Sequence, residues 1–402
     1  MGLNDTPRAN RVHIGIFGKR NAGKSSLINA ITNQDFAVVS EMKGTTTDPV
    51  YKSMELLPIG PVTLIDTPGI DDEGILGVLR IKKTKQVLNK TDVAILVVDA
   101  LLGQTQEDMQ LIDLFREKEI PFLIALNKCD LLHESKPENT HEICVSAKGK
   151  VNIEALKAKI ASIAVTEEIN HRIVGDLISP SDFVVLVTPI DKSAPKGRLI
   201  LPQQQTIRDI LDSDATAIVV KESELSETLK NLVRKPSLVI TDSQVFAKVS
   251  ADVPEDISLT SFSILFARYK GMLNTAVKGA VALKKLKDGD TILICEGCTH
   301  HRQCDDIGTV KLPNWIKNYT GKQVEFEFVS GTEFPDELQK YNLIIHCGGC
   351  MLNEREIKYR QKCAIDQQVP ITNYGIAIAA MQGILRRSIA IFPNILAEID
   401  NR

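Results

Sequence analysis

Residues 12–25 of this 402-residue chain read VHIGIFGKRNAGKS. The first six are apolar enough for a buried β-strand, and the last eight match the pattern G-x-x-x-x-G-K-S. An amphipathic helical stretch follows, from Ser26 to Asn33. In such a strand–loop–helix unit the glycines let backbone N–H groups surround phosphates, and the helix N-terminus favours an anion. The segment therefore predicts a phosphate-binding loop within a βαβ framework.

The side chains of this loop have distinct expected roles. Lys24 is expected to reach the β- and γ-phosphates of a nucleotide, and the Ser25 hydroxyl is expected to bind Mg²⁺. We expect the whole loop to contact the nucleotide, through Gly18, Asn21, Ala22, Gly23, Lys24, Ser25 and Ser26.

Two further motifs predict groups that respond to the γ-phosphate. Residues 44–48 read GTTTD, and the Thr46 hydroxyl can join the Mg²⁺ shell only while a γ-phosphate is bound. Residues 66–69 read DTPG after an apolar strand. They supply the Asp66 carboxylate near the metal and the Gly69 amide for the γ-phosphate. We therefore expect Lys24, Thr46, Asp66 and Gly69 to act in catalysis.

The remaining motifs predict the base. Residues 127–130 read NKCD after an apolar strand, and residues 146–148 read SAK after another. The Asp130 carboxylate can accept both N–H donors of the N1/N2 edge of guanine, a donor pair that adenine lacks. Five motifs in this order predict GTP binding, with base contacts from Asn127, Lys128, Asp130, Ser146 and Ala147.

Two positions bear on how GTP would be hydrolysed. Ile70 stands where many small GTPases have a water-orienting glutamine, so hydrolysis should be slow or use another group. The acids at 71–73 are candidates, although they also suit a solvated loop. This part of the chain resembles the TrmE family of tRNA-modifying GTPases. That resemblance implies that Asn21 helps to hold a K⁺ ion and that K⁺ stimulates turnover; the alternative is that Asn21 only caps the loop.

Composition and charge limit which partners and which cellular location the sequence predicts. Apolar residues make up 43% and charged residues 25%, and a net charge of −3 gives no overall attraction to nucleic acid or anionic lipid. The sequence has no uncharged run of 18 residues and no apolar N-terminal signal. We expect a cytoplasmic protein with neither nucleic acid nor membrane as partner, whose eight cysteines are free thiols.

Length and the alternation of strand and helix patterns predict three domains. We assign residues 1–168 to GTP binding, 169–259 to a middle domain and 260–402 to a cysteine-rich domain. The family resemblance described below implies that 169–259 is a dimerisation domain and that 260–402 binds an iron–sulfur cluster. The fold class is α/β, with a P-loop Ras-like GTPase domain followed by two smaller α/β domains with parallel sheets. In the third domain we expect a strand over 261–266, a long helix over 272–286 and strands over 291–295, 323–329 and 342–345.

Two strands of the third domain run directly into cysteines. The first leads to Cys298 and the second to Cys347 and Cys350, and ligands bind beyond the carboxyl ends of parallel strands. Three thiolates favour an iron–sulfur cubane or zinc, and in a cubane the fourth position would hold an exchangeable or non-thiolate ligand. The candidates in local reach are His300, His346, Cys304, Asp305 and Asp306. A Cys₃His zinc site and free buried thiols remain alternatives, and Cys295 and Cys363 are expected in the core.

The combination of motifs resembles the HydF family of [FeFe]-hydrogenase maturation GTPases. The likeness rests on the GTPase motifs, on Cys298-Thr299-His300 and on His346-Cys347-Gly348-Gly349-Cys350. It implies a homodimeric scaffold that carries a [4Fe-4S] cluster and receives the di-iron subcluster precursor from radical-SAM maturases. The scaffold would then deliver that precursor to apo-[FeFe]-hydrogenase. It also implies that GTP turnover regulates partner exchange.

Two other functions are compatible with parts of the sequence. An RNA-linked GTPase of tRNA modification or ribosome assembly, with a structural zinc tail, would need a basic RNA-binding face. The acidic balance and the lack of basic–aromatic interleaving around Cys298 and Cys347 argue against it. An electron-transfer protein would prefer four thiolates and a second cofactor site.

Overall fold

The computed structural model describes residues 10–33, 49–68, 83–132, 141–164, 172–190, 199–297, 306–331 and 333–400. Internal contacts divide the chain into two compact units, Met1–Ile169 and Asn170–Arg402. Both units are built from helices and predominantly parallel sheets, which confirms the predicted α/β class. Within the described ranges, no helix is long and apolar enough to cross a membrane.

The first unit contains one six-stranded sheet in the order β2-β3-β1-β4-β5-β6, in which only β2 is antiparallel to its neighbour. Residues 83–88 are helical in addition to the three helices named below. The strands and helices are β1 (Val12–Phe17), α1 (Lys24–Thr32), β2 (Val50–Leu56), β3 (Gly60–Asp66), β4 (Val93–Asp99), α2 (Gln106–Glu117), β5 (Phe122–Asn127), β6 (Glu142–Cys144) and α3 (Ile153–Ala164).

Strand β4 shows that this mainly parallel sheet is buried on both faces. Its alternate residues Val93, Ile95 and Val97 enter one hydrophobic core, and the residues between them enter a second core on the opposite face. A strand buried on both faces reads as an unbroken apolar run, the pattern typical of parallel sheets covered by helices. The carboxyl ends of β1, β3, β4 and β5 therefore share one edge, where the nucleotide motifs begin.

The second unit contains two four-stranded parallel sheets, in the orders β10-β9-β7-β8 and β12-β11-β13-β14. Its elements are β7 (Phe183–Val187), α4 (Leu201–Leu211), β8 (Thr216–Val220), α5 (Leu225–Asn231), β9 (Leu238–Thr241), α6 (Phe246–Asp252), β10 (Ser258–Ser261), α7 (Phe262–Tyr269), α8 (Leu273–Ala280), β11 (Thr291–Glu296), α9 (Leu312–Thr320), β12 (Glu325–Ser330), β13 (Leu343–His346), α10 (Glu354–Asp366), β14 (Ile371–Asn373), α11 (Tyr374–Met381), α12 (Leu385–Ser388) and α13 (Pro393–Asp400).

One expectation about local structure is wrong, and another is confirmed only in part. The predicted strand over 261–266 is helix α7, because the Ser261 hydroxyl caps its start by accepting the Ile264 N–H at 3.3 Å. A short, wholly buried apolar run does not distinguish strand from helix by periodicity. The predicted helix over 272–286 is α8 followed by a 3₁₀ segment, Val281–Lys285.

The division into three domains, with boundaries at residues 168 and 259, stays a prediction. Strand β10 pairs with β9 and carries the second sheet on to Ser261. One hydrophobic core contains residues of that sheet together with residues of α7, α8 and α11. The last two predicted domains therefore share core residues within the second unit.

Candidate functional sites

The phosphate-binding loop joins β1 to α1 and is shaped by three residues with positive φ. These are Gly18 (135°), Asn21 (61°) and Gly23 (93°). A Cβ on Gly18 would overlap the carbonyl oxygen of Val97, and one on Gly23 would overlap the amide of Asn127. Glycine is therefore required at both places for the loop to pack against β4 and β5. Ala22 is buried beside them, and Ser25 and Ser26 lie in the first turn of α1.

Lys24 lies over this loop as its sequence position predicts. Its side chain is 8% exposed, and its Nζ donates to the carbonyl oxygens of Gly18 at 2.9 Å and Lys19 at 2.7 Å. The ammonium group thus stands at the first turn of α1, where the helix dipole also favours an anion. The loop and Lys24 fit the triphosphate of a nucleotide.

Ser25 and Asp66 meet at the carboxyl end of β3. The Ser25 hydroxyl donates to Asp66 Oδ2 at 2.7 Å, and Asp66 Oδ1 is buried with no hydrogen-bond partner among the described residues. Burial raises the pKa of Asp66, while the Ser25 hydrogen bond and the nearby Lys24 and Lys52 ammonium groups oppose the rise. A hydroxyl ligand beside a carboxylate with an unsatisfied buried oxygen fits a hydrated Mg²⁺. Thr46 and Gly69 lie outside the described residues, as do the acids at 71–73.

Asn127 connects the phosphate loop to the last nucleotide motif. It is 2% exposed; its amide donates to the Ala22 carbonyl at 2.9 Å, and its Oδ1 accepts the Ala147 N–H at 3.0 Å. The Ser146 hydroxyl accepts the Gly149 N–H at 2.9 Å and closes the turn that carries residues 146–148. Asn127 thereby holds three of the predicted motifs in one arrangement.

The guanine-recognition segment has a partner that sequence reasoning missed. Lys128 adopts φ 67° and its Nζ pairs with Asp99 Oδ2 at 2.5 Å, at the carboxyl end of β4. Asp130 follows in an exposed 3₁₀ turn, Cys129–Leu131. The signal for Asp99 was its place directly after an apolar strand, the position from which the other site residues come.

The second site lies where two neighbouring strands of the second unit end. Cys295 of β11 pairs in register with His346 of β13, and the Cys347 N–H donates to the Cys295 carbonyl at 2.8 Å. Cys347 Sγ accepts the Gly297 N–H at 3.0 Å and the Gly349 N–H at 3.4 Å. The segment before Cys298 is thus in direct contact with Cys347, as the convergence of the two strands predicts.

Burial raises the pKa of the Cys347 thiol, and the two N–H donors oppose that rise. Gly349 turns the loop with φ 61°, and a Cβ there would collide with Ile357. Cys350 is half-buried in the same loop. Gly349, a position that a larger residue would not fit, therefore lies between the two thiols. A compact loop with N–H groups directed at sulfur fits a thiolate-bound metal centre.

Cys298, His300 and Asp305 lie outside the described residues, and so does Cys304. Among the residues that are described, no group of three or more His, Cys, Asp or Glu side chains is placed to hold a metal ion. The four-ligand set as a whole stays a prediction. Cys295 lies in the core as expected, and burial raises its pKa to about 12.

His346 has partners for both ring nitrogens. Its Nδ1 donates to the Cys347 carbonyl at 2.7 Å, and its Nε2 accepts from the Arg360 guanidinium at 3.0 Å. Burial and the Arg360 charge lower the pKa of His346 to about 3, so the ring is neutral. The Nε2 lone pair that a metal would need is therefore engaged by Arg360 in this structure.

Two buried cations near this site had no signal in the sequence. Arg360 is 1% exposed, and its Nε and a terminal nitrogen both donate to Glu356 Oε1, at 3.0 and 2.9 Å. Lys270 is 6% exposed, and its pKa is lowered to about 8 by burial, against the opposing charges of Cys350, Cys347 and Glu354. Most Lys and Arg side chains are exposed to solvent, so nothing in the sequence distinguished Lys270 and Arg360 from the other basic residues.

Three family models of known proteins match successive parts of the chain. Residues 13–128 match the family model of the 50S ribosome-binding GTPase. Residues 173–271 match the hydrogen maturase F dimerization domain, and residues 274–391 match the hydrogen maturase F tetramerization domain. The last two models together cover more than half of the chain. The chain belongs to the hydrogen maturase F family.

The curated relatives of this chain include GTPases that it matches over part of their length. The tRNA modification GTPase MnmE of Desulforamulus reducens is 28% identical over 213 residues, which is 52% of this chain and 45% of that protein. GTPase Der of Kosmotoga olearia is 36% identical over 131 residues, 31% of this chain and 29% of that protein. The chain thus spans less than half the length of these curated relatives.

Among solved structures, Era of Aquifex aeolicus is 19% identical to this chain. The match covers 52% of this chain and 92% of that one, with a TM-score of 0.35.

The two hydrogen maturase F domain models are those of dimerization and tetramerization, and they support self-association of this chain.

Proposed function

We propose that this chain is a GTP-hydrolysing scaffold of hydrogenase maturation. It binds a [4Fe-4S] cluster, assembles the di-iron subcluster precursor and transfers it to apo-[FeFe]-hydrogenase. Membership in the hydrogen maturase F family supports the coarser function, a GTPase of hydrogenase maturation. The observation that carries the finer proposal is the contact of Cys347 Sγ with the Gly297 N–H, next to Cys298 in sequence.

In the first unit, the chain's own residues supply binding and charge. The loop from Gly18 to Ser26 surrounds the phosphates, Lys24 neutralises the β- and γ-phosphates, and Asp130 selects guanine. Mg²⁺, held by Ser25 and Thr46, supplies further charge neutralisation at the phosphates. Because Ile70 replaces the water-orienting glutamine, we propose slow turnover that K⁺ stimulates through Asn21.

In the second unit, Cys298, Cys347 and Cys350 are the proposed cluster ligands. The two N–H groups on Cys347 favour its thiolate form, which is the form that binds iron. A cluster with three protein thiolates leaves one iron accessible to a non-thiolate ligand, and this position suits a scaffold that receives cargo. His300 and Asp305 are the proposed candidates for the fourth ligand.

Self-association is expected to be part of this function. We propose a homodimer formed through residues 169–259, with radical-SAM maturases and apo-[FeFe]-hydrogenase as successive partners. GTP turnover would then set the order of partner exchange and would not drive chemistry on the cluster.

The proposal is tested by transfer. The chain is produced together with the radical-SAM maturases, purified without oxygen and mixed with apo-[FeFe]-hydrogenase, and hydrogen evolution is measured. Wild type should activate the hydrogenase, and Cys350→Ser should not, while Cys363→Ser, in helix α10, should behave as wild type. Equal activation by wild type and Cys350→Ser would exclude a role for the sulfur site in transfer.

A further inference from the structure

Lys270 is a buried lysine that faces the sulfur loop from another element. It directly follows helix α7, and only 6% of the residue is exposed. Its Nζ donates to the carbonyl oxygen of Gly349 and, at 2.9 Å, to that of Leu352. The lysine therefore ties the end of α7 to the loop that carries Cys347 and Cys350.

The charge on Lys270 lacks the partner that buried cations usually have. Buried charges in proteins are normally paired, because desolvation penalises an isolated ion. Arg360 follows this rule, since Glu356 accepts two of its hydrogen bonds. Lys270, in contrast, is bonded to two carbonyl oxygens, and no carboxylate of the described residues is within salt-bridge distance of it.

The groups that can supply negative charge to Lys270 are the thiols. The two carbonyl oxygens that Lys270 contacts, those of Gly349 and Leu352, lie on either side of Cys350 in the chain, so the ammonium group is held against the loop that carries the thiols. The carboxylate of Glu354 acts more weakly, because it is 39% exposed and pairs with Lys358 at 2.6 Å. A buried ammonium beside two thiols is stabilised when those thiols become thiolates.

We propose that Lys270 is a positioning residue and the built-in counter-charge of the sulfur site. It fixes residues 349–352 through two carbonyl oxygens, and its ammonium offsets the negative charge of the thiolates and of the cluster that they hold. This inference rests on the proposed function. Reduction adds one electron to a cluster without adding a proton, so a fixed cation favours the reduced form and raises the reduction potential.

The test uses the full chain, reconstituted without oxygen with iron and sulfide. Bound iron and the cluster reduction potential are measured in wild type and in Lys270→Met, which has a similar shape but no charge. Lys270→Arg retains the charge, and Lys362→Met removes an exposed lysine of α10 as the control. Lys270→Gln, whose amide can still donate to one carbonyl oxygen, decides the test if Lys270→Met does not fold.

The neutral variants should shift the oxidised-to-reduced equilibrium at least tenfold toward the oxidised form, a fall of about 59 mV or more for one electron. They should also retain less iron, while Lys270→Arg and Lys362→Met stay close to wild type. Unchanged potential and iron in folded neutral variants would overturn the inference. So would an equal loss in Lys270→Arg, because shape and not charge would then be responsible. A wild type that binds no cluster would instead refute the proposed function.

Discussion

The nucleotide site of the first unit and the sulfur site of the second both lie at the carboxyl ends of parallel strands, yet they are built differently. Around the nucleotide, short contiguous motifs supply nearly every group, and the backbone between them is fixed by glycines and by Asn127. Around the sulfur, two separated strand ends meet, Arg360 approaches from the helix that follows the loop, and Lys270 approaches from a position 79 residues before Gly349. A site made of local motifs can be recognised from sequence, whereas one made of long-range contacts is recognised only in part.

The difference between the two sites predicts that a substitution in one unit leaves the site of the other unit intact. Lys24→Ala should lower GTP turnover by more than about 100-fold, because it removes charge stabilisation at the phosphates. Bound iron after reconstitution should not change. Turnover and iron are measured on the same preparation, with Arg116→Ala, which removes an exposed cation of α2, as the control. Loss of iron in Lys24→Ala would break the separation of the two sites.

A second lesion tests the buried charges of the second unit. Arg360→Met leaves the Glu356 carboxylate buried without its partner and should lower the free energy of unfolding by about 3–5 kcal/mol. The fluorescence of Trp315, the single tryptophan of the chain, reports the unfolding of this unit in denaturant.

The double variant Arg360→Met with Glu356→Leu removes both charges and is the matched control. It should recover most of the lost stability, because no uncompensated charge remains. A loss of under about 1 kcal/mol in the single variant would mean that the Arg360–Glu356 pair contributes no more than an exposed ion pair.

Recognition of the guanine base is expected to depend mainly on Asp130, within the short motif of residues 127–130. Asp130→Asn should weaken GTP binding by about 10- to 100-fold, since hydrogen bonds to charged groups contribute about 1.5–3 kcal/mol. The same variant should bind XTP better, because the amide can donate to the C2 carbonyl of xanthine. Titration with both nucleotides checks this, with Asp113→Asn on the exposed face of α2 as control. An equal loss for both nucleotides would argue against direct contact with the base.

The smallest expected effect concerns K⁺. Asn21 has φ 61°, so glycine can replace it without backbone strain and remove only the side chain. Wild type should hydrolyse GTP severalfold faster in potassium chloride than in sodium chloride, and Asn21→Gly should show no difference between the salts. A variant that keeps the response to K⁺ would leave Asn21 with the role of shaping the loop.

The limits of sequence reasoning follow the same division. The strand before the phosphate loop and the order of the GTP motifs were predictable, because each signal lies within a few consecutive residues. Helix α7 was mistaken for a strand because most residues of its short apolar run are buried and its cap is a single serine hydroxyl. Lys270 was missed because its partners lie about 80 residues further along the chain. Arg360 and Asp99 were missed because neither belongs to a recognised motif, although Arg360 contacts Glu356 and His346 nearby in sequence and Asp99 ends an apolar strand.

The central claim, that the second unit holds a cluster through Cys298, Cys347 and Cys350, is tested most directly by electron paramagnetic resonance. Wild type and Cys298→Ser are reconstituted without oxygen with iron and sulfide and then reduced. A [4Fe-4S] signal in wild type that is lost in Cys298→Ser is the predicted result. Uptake of zinc without any cluster in wild type would contradict it and would favour an RNA-linked GTPase with a structural zinc site.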